Sequence, residues 1–141
     1  MAKFYGENIL DFFNKNTDTK VVHLRISQVY GEGMREDRIM RIMQNELEET
    51  NKITVFGSGR RVSNFIDIDT LLERIVFFIK YNQVGVFNVG DKHFSYKDIA
   101  LDIIKNYGND KSIIDIIDIG VSSKCLINGD KFKKVEDSYG L

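Results

Sequence analysis

Thr19-Lys20-Val21-Val22-His23-Leu24-Arg25-Ile26-Ser27 is the stretch that decides the fold class. From Val21 the run is short, apolar and β-branched with few interruptions, the pattern of a strand covered on both faces. Such a strand needs helices packed around its sheet, and the flanking sequence supplies them. Residues 4–15 place Phe4, Ile9, Phe12 and Phe13 near helical spacing, with Glu7, Asp11 and Lys15 between them. No Ser, Thr, Asp or Asn precedes this helix as a cap, so a helix starting at or before residue 1 fits best. Residues 36–48 carry Ile39, Ile42, Met43 and Leu47 on one face of a second, amphipathic helix.

Further along, Tyr30-Gly31-Glu32-Gly33 reads as a loop, and Ile53-Thr54-Val55-Phe56 as a short strand after a turn at Asn51-Lys52. A glycine loop, Gly57-Ser58-Gly59-Arg60-Arg61, feeds a strand over residues 62–68, and Asp69 is positioned to cap a helix to about Tyr81. Val86-Phe87-Asn88-Val89 is a strand ending at Gly90. Ser95 and Asp98 form a capping box that opens a helix to about Tyr107. Residues 113–119 read as a strand and residues 130–138 as a short helix. Strands alternating with helices define an α/β class.

Composition removes several functions. The 141 residues are 43% apolar, with ten Phe and six Tyr, enough for one folded domain. Twenty basic residues face 21 acidic ones for a net charge of −1, which gives no footprint for nucleic acid or an anionic membrane. No apolar stretch approaches the ~18 residues of a membrane span, and Met1-Ala2-Lys3 leads into no signal-like region. The expectation is a soluble, cytoplasmic protein with no nucleic-acid or membrane partner. Cys125 is the only cysteine and His23 lies far from His93, so neither a disulfide nor a metal site is expected. Cys125 reads as a small buried or half-exposed side chain.

Taken singly, the polar residues carry limited chemistry. Gly57-x-Gly59 could cradle a phosphate through its amides, but without a third glycine opening a helix a plain hairpin turn accounts for it better. Arg60 and Arg61 beside it favour the anion reading, because guanidinium forks match phosphate oxygens. Arg25 inside an apolar strand needs a partner, either a structural ion pair or a ligand.

The order of segments is more specific. Ala2-Lys3 followed by Glu7 resembles the S-K-x-x-x-E that follows the catalytic tyrosine in extended short-chain dehydrogenases. Residues 24–33, LRISQVYGEG, resemble L-R-x-x-N-V-Y-G-P-G. Residues 53–69, ITVFGSGRRVSNFIDID, resemble I-x-V-x-G-D-G-x-x-x-R-D-F-I-x-V-D-D. Val86-Phe87-Asn88-Val89-Gly90, then Ser95 and Ile99, is similar to G-x-x-N-V-G-x-x-x-x-x-S-x-x-E-L-A. Together, in order and at spacing over nearly the whole chain, these segments resemble the NAD-dependent epimerase/dehydratase family that acts on nucleotide sugars.

The resemblance implies the carboxy-terminal, substrate-binding portion of an extended short-chain dehydrogenase: mixed short strands and helices, lacking most of the Rossmann domain. Residues 1–30 would be the last helix and strand of the cofactor domain, and residues 31–141 the substrate-binding region. Lys3 would be the lysine of the family's Y-x-x-x-K pair, catalytic through its tyrosine and bound to the nicotinamide ribose. That tyrosine would fall two residues ahead of Met1. Ser27 would lie where the strand end approaches the nicotinamide. Gln28 takes the family's substrate-contacting asparagine position, and Val55 and Phe56 fall where the nucleotide base is lined. Ser63 replaces the arginine that grips the diphosphate, and Asn64 the aspartate after it. A hydroxyl cannot supply that charge-assisted fork, so Arg60 or Arg61 would have to compensate.

The expected function is therefore that of a fragment contributing the sugar-nucleotide pocket, inactive alone, with a non-catalytic binding or scaffold module of the same fold as the alternative. NAD or NADP would serve the intact enzyme, and none is expected on the isolated chain. Its partners would be the nucleotide sugar, the missing amino-terminal cofactor domain and a second copy paired through the first helix.

Overall fold

The computed structural model describes residues 2–120 and 122–140. Its organising element is strand β4 (Val62–Asp67), whose middle four residues are all buried. Strict alternation fails here because both faces are covered: Phe65 enters one apolar cluster and Ile66 the other. The first cluster joins Phe65 to Met43 and Leu47 of helix α2 (Ile39–Thr50), to Ile53 and Val55 of strand β3 (Lys52–Phe56), and to Ile99 and Ile103 of helix α4 (Tyr96–Tyr107). The second joins Ile66 to helix α3 (Ile68–Lys80), to strand β5 (Gly85–Val89) and, through Phe132, to helix α5 (Asp130–Ser138).

Three small sheets share the strands. β1 (Val22–Ile26) pairs in parallel with β5, His23 opposite Val86 and Arg25 opposite Asn88. β3 pairs in parallel with β7 (Ile113–Ile117). The third sheet is built on β4, with β2 (Gln28–Tyr30) parallel on one edge and β6 (Lys92–Ser95) antiparallel on the other. β8 (Lys124–Cys125) also pairs with β4, in parallel.

The helix ends follow local chemistry, with one shift. Ser95 and Asp98 make the expected capping box on α4. Helix α3, however, is capped by Asp67 rather than Asp69: the Asp67 carboxylate accepts from the Asp69 amide at 2.9 Å. The preceding strand stops at Asp67 because its partner β2 stops opposite it at Tyr30. The Tyr30 end of the expected loop is thus strand, and a break at Ser27 divides β1 from β2. The hairpin expected at Gly57–Gly59 is not formed, since β3 and β4 belong to different sheets. That segment is a tight 3-10 turn carrying the chain from one sheet to the next. β7 ends at Ile117 instead of residue 119.

Helix α1 (Ala2–Asn16) is docked by its polar side. Glu7, Asp11 and Asn14 are spaced i, i+4, i+7 and share one face. The Arg25 guanidinium donates twice to the Glu7 carboxylate, at 3.0 and 2.6 Å, which makes Arg25 a structural ion pair. His23 Nε2 meets Asp11 at 2.9 Å, and Asn14 accepts from the Val21 amide at 3.2 Å. No α1 residue is buried, and Phe4, Tyr5, Ile9, Leu10, Phe12 and Phe13 are all exposed.

The Arg25 hydrogen bond holds the Glu7 carboxyl below its ordinary range against a smaller opposing effect of burial. A lowered folded-state pKa contributes stability that is complete above the unfolded value and lost as pH falls through the folded one. Amide resonances of α1 should therefore move toward coil positions below about pH 4, where a free glutamate protonates. In Arg25→Gln the same loosening should be present at neutral pH. Unchanged α1 shifts in both experiments would mean that this pair does not dock the helix.

Candidate functional site

β4 changes neighbours along one edge. Ser63 lies opposite Cys125 of β8, and Phe65 lies opposite Gln28 of β2, leaving Asn64 at the junction. The two strands cannot both continue there, and the Asn64 side chain fills the break. It is 5% exposed, and its Oδ1 accepts from the Ile127 amide at 2.5 Å. Ser27 sits at the matching break between β1 and β2, its amide donating to Val89 O at 2.9 Å. Gly90 packs against both residues: a Cβ there would lie 3.2 Å from Asn64 Nδ2 and 3.3 Å from Ser27 Oγ.

The break opens into a hollow of about 370 Å³, lined by Lys3, Ser27, Gln28, Arg38, Ser63 and Asn64, with Cys125 beside them. Among the described residues its lining holds two cations, Lys3 and Arg38, and no carboxylate. Ser27 Oγ is buried there with no hydrogen-bond partner. Donors without acceptors suit an anionic or hydroxyl-rich ligand. Cys125 is exposed, where the sequence pointed to a buried or half-exposed thiol.

Four sequence candidates, Lys3, Ser27, Gln28 and Ser63, thus meet from three distant stretches of chain. Four others do not line this hollow. Val55 is 1% exposed and belongs to the core, while Phe56 is 60% exposed. Arg60 donates from Nε to Ser58 Oγ at 3.0 Å. Arg61 stacks its guanidinium over the Tyr96 ring, 5.1 Å from the centroid. Arg38 escaped the sequence reading, because nothing in its periodicity separates it from Arg35 and Arg41.

A larger hollow, about 780 Å³, opens between α2 and α4, with Tyr30 of β2 in its lining. Five carboxylates, Glu32, Glu48, Asp67, Asp98 and Asp102, line it against Arg41 and Lys92. None of the candidates lines it. Tyr30 borders it with its phenol pKa raised, chiefly by burial and then by Asp67, Asp91 and Asp102. Among the described residues no group of three or more His, Cys, Asp or Glu is placed to hold a metal, and no helix is long and apolar enough to cross a membrane.

This mixed α/β architecture of helices and short strands is that of the extended short-chain dehydrogenases. The model of the NAD dependent epimerase/dehydratase family matches residues 1–90, and the chain belongs to that family. It is 28% identical over 131 residues to a dTDP-4-dehydro-6-deoxyglucose reductase of Escherichia coli, covering 90% of this chain and 37% of that protein. It is 26% identical over 105 residues to a dTDP-D-glucose 4,6-dehydratase of Dictyostelium discoideum, 73% of this chain and 24% of the relative. The chain therefore spans about a quarter to a little over a third of these curated relatives. Among solved structures, the UDP-glucuronic acid 4-epimerase from Bacillus cereus in complex with NAD superposes with a TM-score of 0.78 at 24% identity, over 94% of this chain and 43% of that one. The dTDP-glucose 4,6-dehydratase from Bacillus anthracis, also with NAD, gives 0.72 at 22% identity, over 91% and 42%.

The two buried polar groups at the break should respond differently to truncation. Asn64→Ala leaves the Ile127 amide without its acceptor and should cost about 1–3 kcal/mol. Ser27→Ala removes an unpaired hydroxyl and should be neutral or slightly stabilising. Urea denaturation midpoints of the two variants test this, and a larger loss in Ser27→Ala would show that its hydroxyl has a partner.

Proposed function

We propose that this chain provides the substrate side of a nucleotide-sugar epimerase or dehydratase, with the hollow at the β2–β8 break as its sugar-nucleotide pocket. The carrying observation is that Lys3, Ser27, Gln28 and Ser63 line one hollow that, among the described residues, holds cations and no carboxylate. On this reading residues 1–30 complete the cofactor domain and residues 31–141 form the substrate region. Gln28 offers an amide donor and acceptor to sugar hydroxyls, and Ser63 a hydroxyl close by. Lys3 and the unpaired Ser27 hydroxyl fit the ribose end of a dinucleotide. The chain has no G-x-x-G-x-x-G segment to hold a pyrophosphate at a helix start. NAD, bound in the whole enzyme, supplies the hydride acceptor and donor. This chain's part is to orient the sugar carbon and to hold Lys3 where it lowers the pKa of a neighbouring tyrosine.

Titration of this chain with dTDP-glucose and UDP-glucose, followed by amide NMR, tests the pocket. The expected result is saturable shifts confined to residues around Ser27, Gln28 and Ser63, and affinity reduced about five- to tenfold in Gln28→Ala, the loss of roughly one buried hydrogen bond. Binding elsewhere, or no binding at millimolar ligand, would sink the reading. A non-catalytic module of the same fold is the second reading, favoured by Ser63 in place of an arginine. It predicts the same binding, with no turnover once a family cofactor domain is supplied.

The exposed aromatic side of α1 belongs to the same proposal. Six large apolar side chains on one helix exceed what monomers usually leave to solvent. We assign that surface to a second copy of this chain. Sedimentation velocity should show dimers that Phe12→Ser with Phe13→Ser abolishes, and a monomer at high concentration would count against the assignment.

A further inference from the structure

Position 63 poses a problem for any phosphorylated ligand. Ser63 is 2% exposed and carries no charge, so the floor of the hollow offers no guanidinium. The loop arginines do not solve it, since Arg60 turns back to Ser58 and Arg61 lies over Tyr96. We propose that Arg38 is the phosphate-binding residue of this hollow, its guanidinium reaching in from the start of α2 to take the place left by the serine. The inference deepens the nucleotide-sugar reading above and names the specificity-determining cation of that site.

Three observations converge on Arg38. The first is position: it lines the same hollow as Ser63, Ser27 and Lys3. The second is availability. Its ion-pair partner, Asp37, lies 3.9 Å from Arg38 Nε, beyond hydrogen-bond reach, and the other oxygen of that carboxylate accepts from Arg35 at 2.7 Å. Among the described residues the guanidinium makes no hydrogen bond, and with its side chain 49% exposed its donors are unspent. Third, the lining of the hollow is attractive to an anion. Lys3 adds a second cation, Ser27 Oγ is a buried hydroxyl without a partner, and among the described residues no carboxylate lines the hollow. Helix α2 also begins at this residue with extended backbone, no side-chain cap and no acidic residue in its first turn. The positive end of its dipole therefore stays uncompensated.

A guanidinium forks onto two oxygens of one phosphate, whereas an ammonium acts as a point charge. Charge-assisted hydrogen bonds of this kind are about twice as strong as neutral ones. The test is a calorimetric titration of this chain with inorganic pyrophosphate at low ionic strength. The expected outcome is saturable binding that weakens at least roughly tenfold in Arg38→Gln, the scale of one charged hydrogen bond. Arg38→Lys should fall between, and Arg60→Gln and Arg61→Gln should stay within about twofold of the parent, as exposed charges away from the contact do. Adding Ser63→Arg to Arg38→Gln should restore binding, which a merely structural role for Arg38 would not allow. Absence of pyrophosphate binding, or a larger loss in the loop variants than in Arg38→Gln, overturns the proposal whether or not the double variant folds. A parallel titration with dTDP-glucose separates the two readings. If pyrophosphate binds through Arg38 but dTDP-glucose binds no tighter, the nucleotide-sugar reading fails and Arg38 stands. If dTDP-glucose binds at Ser27 and Gln28 and Arg38→Gln changes nothing, the reverse holds.

Discussion

Burial of β4 on both faces, with both edges paired, is the constraint from which the rest of this structure follows. Phe65 and Ile66, adjacent in sequence, point into different clusters, so α2 and α4 must lie on one side and α3 and α5 on the other. A strand in that position has no water to satisfy its backbone, and every peptide group needs a partner. Along one edge no single neighbour is long enough to provide them: β8 covers Val62 and Ser63, and β2 covers the stretch from Phe65 to Asp67. The junction has to be closed by a side chain, and Asn64 closes it. The polar hollow is a consequence of that junction, since two strand ends that meet without merging leave space between them.

Local chemistry was legible in the sequence, and non-local pairing was not. The Ser95–Asp98 capping box lies within four residues and forms as expected. Choosing Asp67 over Asp69 as a cap depends on where β4 ends, and β2, more than thirty residues away, sets that end. The glycines at 57 and 59 do mark a turn, but a hairpin requires the strands they join to pair. β3 instead finds β7 and β4 finds β2, β6 and β8. β6, reading Lys-His-Phe-Ser, has no apolar run and exists only as an edge of β4. The candidate site divides the same way. Family-like motifs led to Lys3, Ser27, Gln28 and Ser63, whereas Arg38 sits among other arginines, and only the fold, which brings it into the lining of the same hollow, distinguishes it.

Helix α1 inverts the usual arrangement of an amphipathic helix. Its polar residues face the protein and its aromatic ones face solvent, so its attachment rests on surface ion pairs and one backbone contact. Such pairs contribute little when exposed. The cores that secure α2, α3 and α4 therefore do nothing for α1, which is the element of this fold with the most apolar surface still to cover. That is the expected condition of a helix whose main packing partner is another surface.

The two hollows that β2 borders differ in electrostatics as well as in size. In the larger one the Tyr30 phenol is held in its neutral form, first by burial and then by the carboxylates of Asp67, Asp91 and Asp102. A field that resists a phenolate resists a phosphate as well, because both place negative charge among carboxylates. In the smaller hollow the described lining residues include Lys3 and Arg38 and no acidic residue. Volume alone would send a nucleotide sugar to the larger space. On the proposed reading charge favours the smaller one, where Ser27 Oγ has no partner and the Arg38 guanidinium makes no hydrogen bond among the described residues. Charge decides, because the phosphates of such a ligand lose their hydration on entry and only donors can replace it.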